Sequence, residues 1–418
     1  MHTLIARLTV AMLAGVAIVT SSPASASTYG VVYSFQGSGD AEAPISGLLN
    51  IPGVSGTTLY GTTPFGGTGS CHYQNFSGCG TIYTADPSTG AETVVYSFTG
   101  SDGYQPSAAL ISVGGTLYGT TGFGGANGVG TVFAFDRSTN TLTVLHSFGS
   151  GDGTYPFASV TYVGGKLYGT TQYGGTANKG TVYSIDPSTG AESVVYSFQG
   201  GTSDGASSIA GLTSYNSKLY GTTLGGGTGT CTGGCGTVFS FDPMTNAESV
   251  VYSFQGGSDG ANPYAGLINV GSTLFGDTRG GGSGTGCITT GCGVVFSVNP
   301  TTGAETVLHT FTGPDGANPL ASLINVSGTL YGTTNQGGIG ISGTTYGTIY
   351  SINLLTGVET VRHSFGNGTD GRSPRTTLIN VSGTLYGTTI CGGTGGSATS
   401  CGTVGSEPGY GTVFSYTP

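Results

Sequence analysis

Leu59-Tyr60-Gly61-Thr62-Thr63 returns at Leu117, Leu167, Leu219, Leu330 and Leu385, and once in altered form as Leu274-Phe275-Gly276-Asp277-Thr278. The seven copies lie 50 to 58 residues apart, so the chain is an array of one repeated supersecondary unit. Working outward from the altered copy gives the unit's layout. Residues 264–270 read as a first strand, and Gly271-Ser272 as a tight hairpin turn. Residues 273–278 form the second strand, and a Gly-rich loop carrying Cys287 and Cys292 follows. Residues 293–299 form a third strand, residues 300–303 a Pro-Gly turn, and residues 305–311 a fourth strand. The strand segments are short and rich in β-branched and aromatic residues, and no helical period interrupts them.

The ends decide between an open array and a ring. The third-strand motif opens seven times, at Gly80, Gly130, Gly180, Gly236, Gly293, Gly347 and Gly411. The fourth-strand motif ends seven times, at Phe35, Phe98, Phe148, Phe198, Phe254, Phe311 and Phe365. Yet the chain has a fourth strand to spare near its start and stops at Pro418 just after a third. In a linear solenoid both ends would expose strand edges. In a ring the surplus strand completes the last sheet. The expected fold is therefore an all-β, seven-bladed β-propeller with four antiparallel strands per blade, its N-terminal strand closing the last blade. A β-helix is the alternative, but it has no need of complementary ends.

Composition narrows the function. The 418 residues include 83 Gly, and only 7% are charged, but 24 Tyr and 18 Phe in fixed order oppose disorder. The formal charge is -10 with nine Lys and Arg, so no basic face is available for nucleic acid. Arg362, Arg372 and Arg375 form the one loose cluster and read as solvated surface.

Arg7 precedes an apolar run from Leu8 to Val19, followed by Ala24-Ser25-Ala26. That is the layout of a secretory signal peptide over residues 1–26, cleaved near Ala26, with one propeller domain over residues 27–418. The run is too short to span a bilayer. The eight cysteines fall into local pairs, Cys71/Cys79, Cys231/Cys235, Cys287/Cys292 and Cys391/Cys401, each between a second and a third strand. In an exported chain they read as disulfides, each contributing about 2–3 kcal/mol by loop-entropy arguments. The mature protein is expected to be extracellular or periplasmic, and monomeric.

The motif order, from Leu-Tyr-Gly-Thr-Thr through Gly-Thr-Val-Phe, Asp-Pro-Ser-Thr-Gly-Ala-Glu and Val-Val-Tyr-Ser-Phe to Asp-Gly-Ala-Asn-Pro, resembles the bacterial tandem-repeat family called GloVer. The resemblance runs from about Tyr29 to the C-terminus. It implies an exported protein with repeats followed by a surface anchor, and it implies no catalytic residue. This sequence ends at Pro418 with no sorting tail. The layout is also similar to Kelch repeats, but the chain has no Trp, which argues against a quinone-type propeller.

Candidate sites follow from the loops. Alternating strand directions place the cysteine loops and the Asp-Gly turns on one face. Those turns carry Asp102, Asp152, Asp204, Asp259, Asp315 and Asp370, with Asp40 in the first copy. Each Asp is expected to cap its own turn; as a group they are candidates to hold Ca²⁺. Glu92, Glu192, Glu248, Glu305 and Glu359 are expected on the opposite face. Asp277 and Arg279 in the altered copy read as a local ion pair or as a polar anchor on the loop face. His146, His309 and His363 take the place of Tyr33, Tyr96, Tyr196 and Tyr252 and read as structural. Two Gly-x-Ser-x-Gly matches, at residues 201–205 and 256–260, and a dinucleotide-like loop at 338–343 have no helix to follow them and carry no weight. The expected function is an extracellular binding or structural module for a glycan or protein. The alternative is a secreted polysaccharide hydrolase or lyase, disfavoured because no singular pair of carboxylates stands out.

Overall fold

In a computed structural model the second and third strands pair so that every repeated Gly lies directly opposite a ring. Gly61 pairs with Tyr83, Gly169 with Tyr183 and Gly387 with Phe414. A Cβ on Gly169 would stand 2.3 Å from the Tyr183 hydroxyl oxygen. Gly is thus needed for the aromatic ring of its own sheet, rather than for the approach of a neighbouring sheet. The structure describes residues 27–418 except 38, 54–55, 74–75, 285–286, 288–290, 340–345, 367–368 and 396–408. The expected signal peptide, residues 1–26, and Cys401 lie outside the described residues.

Seven antiparallel sheets follow one another, each ordered inner, second, third, outer. The fifth blade is typical: Ile268–Val270, Thr273–Thr278, Val294–Val298 and Glu305–Thr310. Its inner strand has three residues where the sequence suggested seven, because residues 264–266 line the central cavity and Leu267 turns into the core before the ladder begins. The seventh blade joins Ile379–Val381, Thr384–Cys391 and Thr412–Thr417 to the N-terminal strand Thr28–Ser34. Thr28 pairs with Thr417 and Ser34 with Thr412, so the ring closes as the complementary ends required. The fold is a seven-bladed β-propeller. The single helical element among the described residues is a 3₁₀ turn at Gly257–Asp259.

The core lies between blades. Each outer-strand Phe is buried and meets the third-strand ring of the next blade edge-on. The ring centroids are 5.0 Å apart for Phe35 and Tyr83, 4.9 Å for Phe148 and Tyr183, and 5.4 Å for Phe365 and Phe414. Such pairs contribute about 0.5–1.5 kcal/mol beyond area burial.

The two threonines of the repeated motif do more than favour strands. The first donates across the blade boundary: Thr62 to the Ala108 carbonyl at 3.2 Å, Thr120 to Ala158 at 3.0 Å, Thr222 to Ala265 at 3.0 Å. Thr388 closes this ring on the Pro44 carbonyl at 3.4 Å. The second, as Thr63, shares a bond of 2.8 Å with Thr81 of the third strand.

Three of the four expected disulfides are present among the described residues: Cys71–Cys79, Cys231–Cys235 and Cys287–Cys292. The Cys391/Cys401 pairing involves a residue outside them. No helix among the described residues is long and apolar enough to cross a membrane.

Candidate functional site: the channel mouth and the blade junctions

Two features concentrate polar chemistry. The first is the mouth of the central channel. Each blade enters its inner strand through Pro, or Ser208 in the fourth blade, and the next residue faces the lumen. These residues are Ile45, Ser107, Phe157, Ile209, Tyr264, Leu320 and Arg375, around a cavity of about 270 Å³. Below them the wall is built of small residues such as Gly47, Ala109, Ser159 and Gly266.

The collar is held rigidly. The residue before the Pro position has φ between 52° and 60° in all seven blades, and none is Gly. This left-handed backbone persists because the loop of the preceding blade fixes it. Tyr155 N–H donates to the Val129 carbonyl at 2.9 Å, Asn262 to Cys235 at 2.7 Å and Ser373 to Tyr346 at 2.7 Å.

Arg375 is the one charged member of the collar. Protein surrounds it, yet its side chain reaches water in the lumen, and its Nε donates to Asn335 Oδ1 at 3.0 Å. Burial pulls its pKa below the ordinary arginine value, the Tyr264 hydroxyl raises it, and the charge of nearby Arg279 lowers it. Arg279 is exposed and follows the end of the second strand at Thr278. Arg279 is thus near enough for its charge to reach Arg375, which stands in a channel lining that holds no Asp, Glu or His.

This corrects two readings. Arg375 is solvated as expected, though at the channel mouth rather than on an outer strand, whereas Arg372 is buried, its guanidinium 4.6 Å from the Tyr346 ring centroid. Only Arg362 of that trio is an exposed outer-strand side chain. Asp277 and Arg279 do not pair either. The strand ends between them, so Arg279 turns out while Asp277 stays 1% exposed, with both carboxylate oxygens lacking a hydrogen-bond partner. Burial pushes the Asp277 carboxyl well above the ordinary range. It occupies the position at which Thr donates across the boundary in the other six blades.

The second feature is the set of junctions between outer strands. Each Asp of the Asp-Gly set caps its turn. Thr99 N–H donates to Asp102 at 2.8 Å, Gln199 N–H to Asp204 at 2.6 Å and Gln255 N–H to Asp259 at 2.6 Å. Each also binds the Tyr or His six to eight residues before it. Tyr96 donates to Asp102 at 2.6 Å, and the Nε2 atoms of His146, His309 and His363 lie 2.8, 3.1 and 3.2 Å from Asp152, Asp315 and Asp370.

The glutamates arrive at the same place. The expectation of opposite faces fails because blade twist swings the base of each outer strand against the middle of the preceding one. Gly190, two residues before Glu192, packs on the Leu145 carbonyl beside His146. One ligand atom each from His146, Asp152 and Glu192 lie within 4.8 Å of one another, as do those of His309, Asp315 and Glu359. Burial pushes Glu92 up to about 8, helped by the charge of Asp40. Burial likewise pushes Glu192 and Glu305 up to about 7, helped by Asp152 and Asp259. The signal for this convergence was present in the sequence as a recurring order of Tyr or His, then Asp, then Glu. Linear order alone did not show that the Glu comes from the next blade.

The Gly-x-Ser-x-Gly matches remain turns: Ser203 and Ser258 are exposed, each followed directly by a capping Asp.

Among solved structures, the chain is similar to one from Bacteroides uniformis ATCC 8492 whose proposed activity is that of a 6-phosphogluconolactonase. The identity is 15%, covering 79% of this chain and 88% of that one, with a TM-score of 0.49. It is similar to TolB from Acinetobacter baumannii at 15% identity, covering 69% and 61%, with a TM-score of 0.41. It is also similar to an oligogalacturonate lyase in complex with manganese at 12% identity, covering 91% and 98%, with a TM-score of 0.48. No curated protein matches the sequence. The model of the Gloeobacter/Verrucomicrobia repeat matches residues 14–233 and 202–404, and the chain belongs to that family.

Proposed function

We propose that this protein is an exported binding module that takes a single acidic group, carried on a small apolar or sugar body, at the mouth of its propeller channel. The observation that carries this reading is Arg375 in the cavity lining with Tyr264, near enough to Arg279 to feel its charge, within a collar that holds no acidic residue. A guanidinium offers fork-shaped donors that match a carboxylate, and such charged hydrogen bonds contribute about 1.5–3 kcal/mol. Phe157 and Tyr264 supply flat faces for a sugar ring or a short apolar chain. The cavity is at the small end of ligand pockets, which suits one terminal unit rather than a polymer. The overall charge of -10 supports the same choice, because its field repels long polyanions while two local cations hold one carboxylate. Three disulfides support an oxidising compartment, as an exported protein requires.

A hydrolytic role finds less support, since the paired carboxylates that cleave glycosidic bonds do not line the cavity. The test is calorimetric titration of the mature chain with short uronate oligomers and with their neutral hexose counterparts, alongside a reducing-sugar assay. The expected result is binding of the uronates only, weakened at least tenfold by Arg375→Ala, with no sugar released. Equal binding of neutral and acidic oligomers, or an unchanged affinity in Arg375→Ala, would overturn the proposal.

A further inference from the structure

The seven outer-strand junctions are variations on one plan, and their differences point to a second kind of site. Five junctions receive a glutamate from the following blade, and in each its Oε1 atom is sealed from water with no hydrogen-bond partner among the described residues. At three of these five, those of Glu92, Glu248 and Glu305, the strand before contributes Tyr33, Tyr196 or Tyr252. A neutral phenol is a poor metal ligand. At the other two an imidazole stands in its place, and His, Asp and Glu meet: His146, Asp152 and Glu192, and His309, Asp315 and Glu359.

We propose that these two junctions each bind a divalent transition metal ion of the zinc class, clamping neighbouring blades together. Imidazole with two carboxylates is a donor set suited to zinc and poorly suited to Ca²⁺, which prefers oxygen alone. Ligand atoms at zinc distances of about 2.0–2.1 Å stand about 3.3 Å apart around a tetrahedral ion. His146 Nε2 and Asp152 Oδ2 are 2.8 Å apart, and His309 Nε2 and Asp315 Oδ2 are 3.1 Å apart, so small rotations suffice. The unsatisfied glutamate oxygen supplies the third ligand, and water supplies the fourth. The His and Asp side chains are 19–25% exposed at these two sites, which leaves a path for the ion. His and Asp belong to one blade and Glu to the next, so the ion adds a cross-link between two outer strands that are otherwise joined only through the main chain connecting their blades.

The molecule carries its own control. At the third histidine junction Tyr29 replaces the glutamate; its ring stacks on His363 with centroids 3.9 Å apart, and its hydroxyl donates to the Asp370 carbonyl. One carboxylate and one imidazole remain there, too few for a closed site. The chain also supplies fold-safe substitutions: Tyr stands at four of the seven histidine positions, and Leu142 stands at the glutamate position of the second blade.

The experiment is titration of chelator-treated, untagged mature protein with zinc chloride, followed by calorimetry and thermal melting. The expected result is two ions bound per chain at low-micromolar concentration, with a rise in melting temperature. His146→Tyr and His309→Tyr should each remove one ion, Glu192→Leu should remove one, and His363→Tyr should remove none. Absence of zinc uptake would overturn the proposal, as would a stoichiometry unchanged in the His146→Tyr, His309→Tyr double variant. These substitutions lie far from Arg375, so the outcome is independent of the channel-mouth reading.

Discussion

Replacing Asp277 by Thr should make the protein more stable, and more so as pH rises. In six blades the equivalent Thr hydroxyl donates to a main-chain carbonyl of the next blade, as Thr222 does to Ala265. The carbonyl in register with Asp277 is that of Ala321. An ionised aspartate cannot donate there, and both Asp277 oxygens are buried without a partner. The folded chain therefore holds this carboxyl protonated, as its upward shift indicates. The sign follows directly. Well below pH 4 both folded and unfolded chains carry the proton, and the titration of this residue adds nothing to the stability difference. As pH rises the unfolded chain releases the proton and the folded chain keeps it, so stability is lost at about 1.4 kcal/mol per pH unit. Thr carries no such cost. The stability gap between Asp277→Thr and the parent should thus widen as pH rises above about 4, by up to about 1.4 kcal/mol for each pH unit over which the folded chain keeps its proton. Urea denaturation at a series of pH values measures it, and the raised glutamates cancel because both proteins contain them. Asp277→Asn should flatten the profile in the same way. A gap that stays constant with pH, or an Asp277→Thr protein less stable at pH 7, would refute the reasoning.

Two further outcomes test the packing. Tyr83 and Tyr183 are fully buried with hydroxyls that find no partner, at a position where other blades carry Phe133 and Phe239. Removing an unsatisfied buried hydroxyl should therefore stabilise the protein, so Tyr183→Phe is expected to gain about 1 kcal/mol in chemical denaturation. Gly169→Ala should lose about 1–3 kcal/mol in the same assay, because its methyl group would meet the Tyr183 ring, and the Tyr183→Phe background should recover part of that loss.

Strand identity was legible because the repeat aligns itself: seven copies of one motif average out local ambiguity, and the mismatch of the two ends required a ring. What linear order does not carry is the rotation between adjacent sheets. Glu192 and Asp152 are separated by a whole blade of sequence and looked like opposite-face residues, yet the twist of the outer strands brings them together. The acceptor of the motif's first Thr is equally hidden from linear order, because that carbonyl lies in another repeat. Arg375 and Arg372 differ by three residues, and one lines the channel while the other lies against Tyr346. That difference depends on which side of a left-handed residue each falls, here Ser373. The channel mouth was the least visible feature. Its positions vary freely from blade to blade, and such variation reads as tolerance until the seven inner segments are seen to converge.

The pairing of Thr28–Ser34 with Thr412–Thr417 also sets an order of events. A chain threaded outward from its N-terminus delivers this strand first, and its partner almost 400 residues later. For that whole interval the segment has no sheet to join, while six blades assemble one after another from local hairpins. The last blade then recruits a strand that has been waiting since the beginning, so closing the circle is a single long-range event added to many short-range ones. The finished ring has no free end from which to fray. The one long-range pairing that completes it is also the clasp that resists opening.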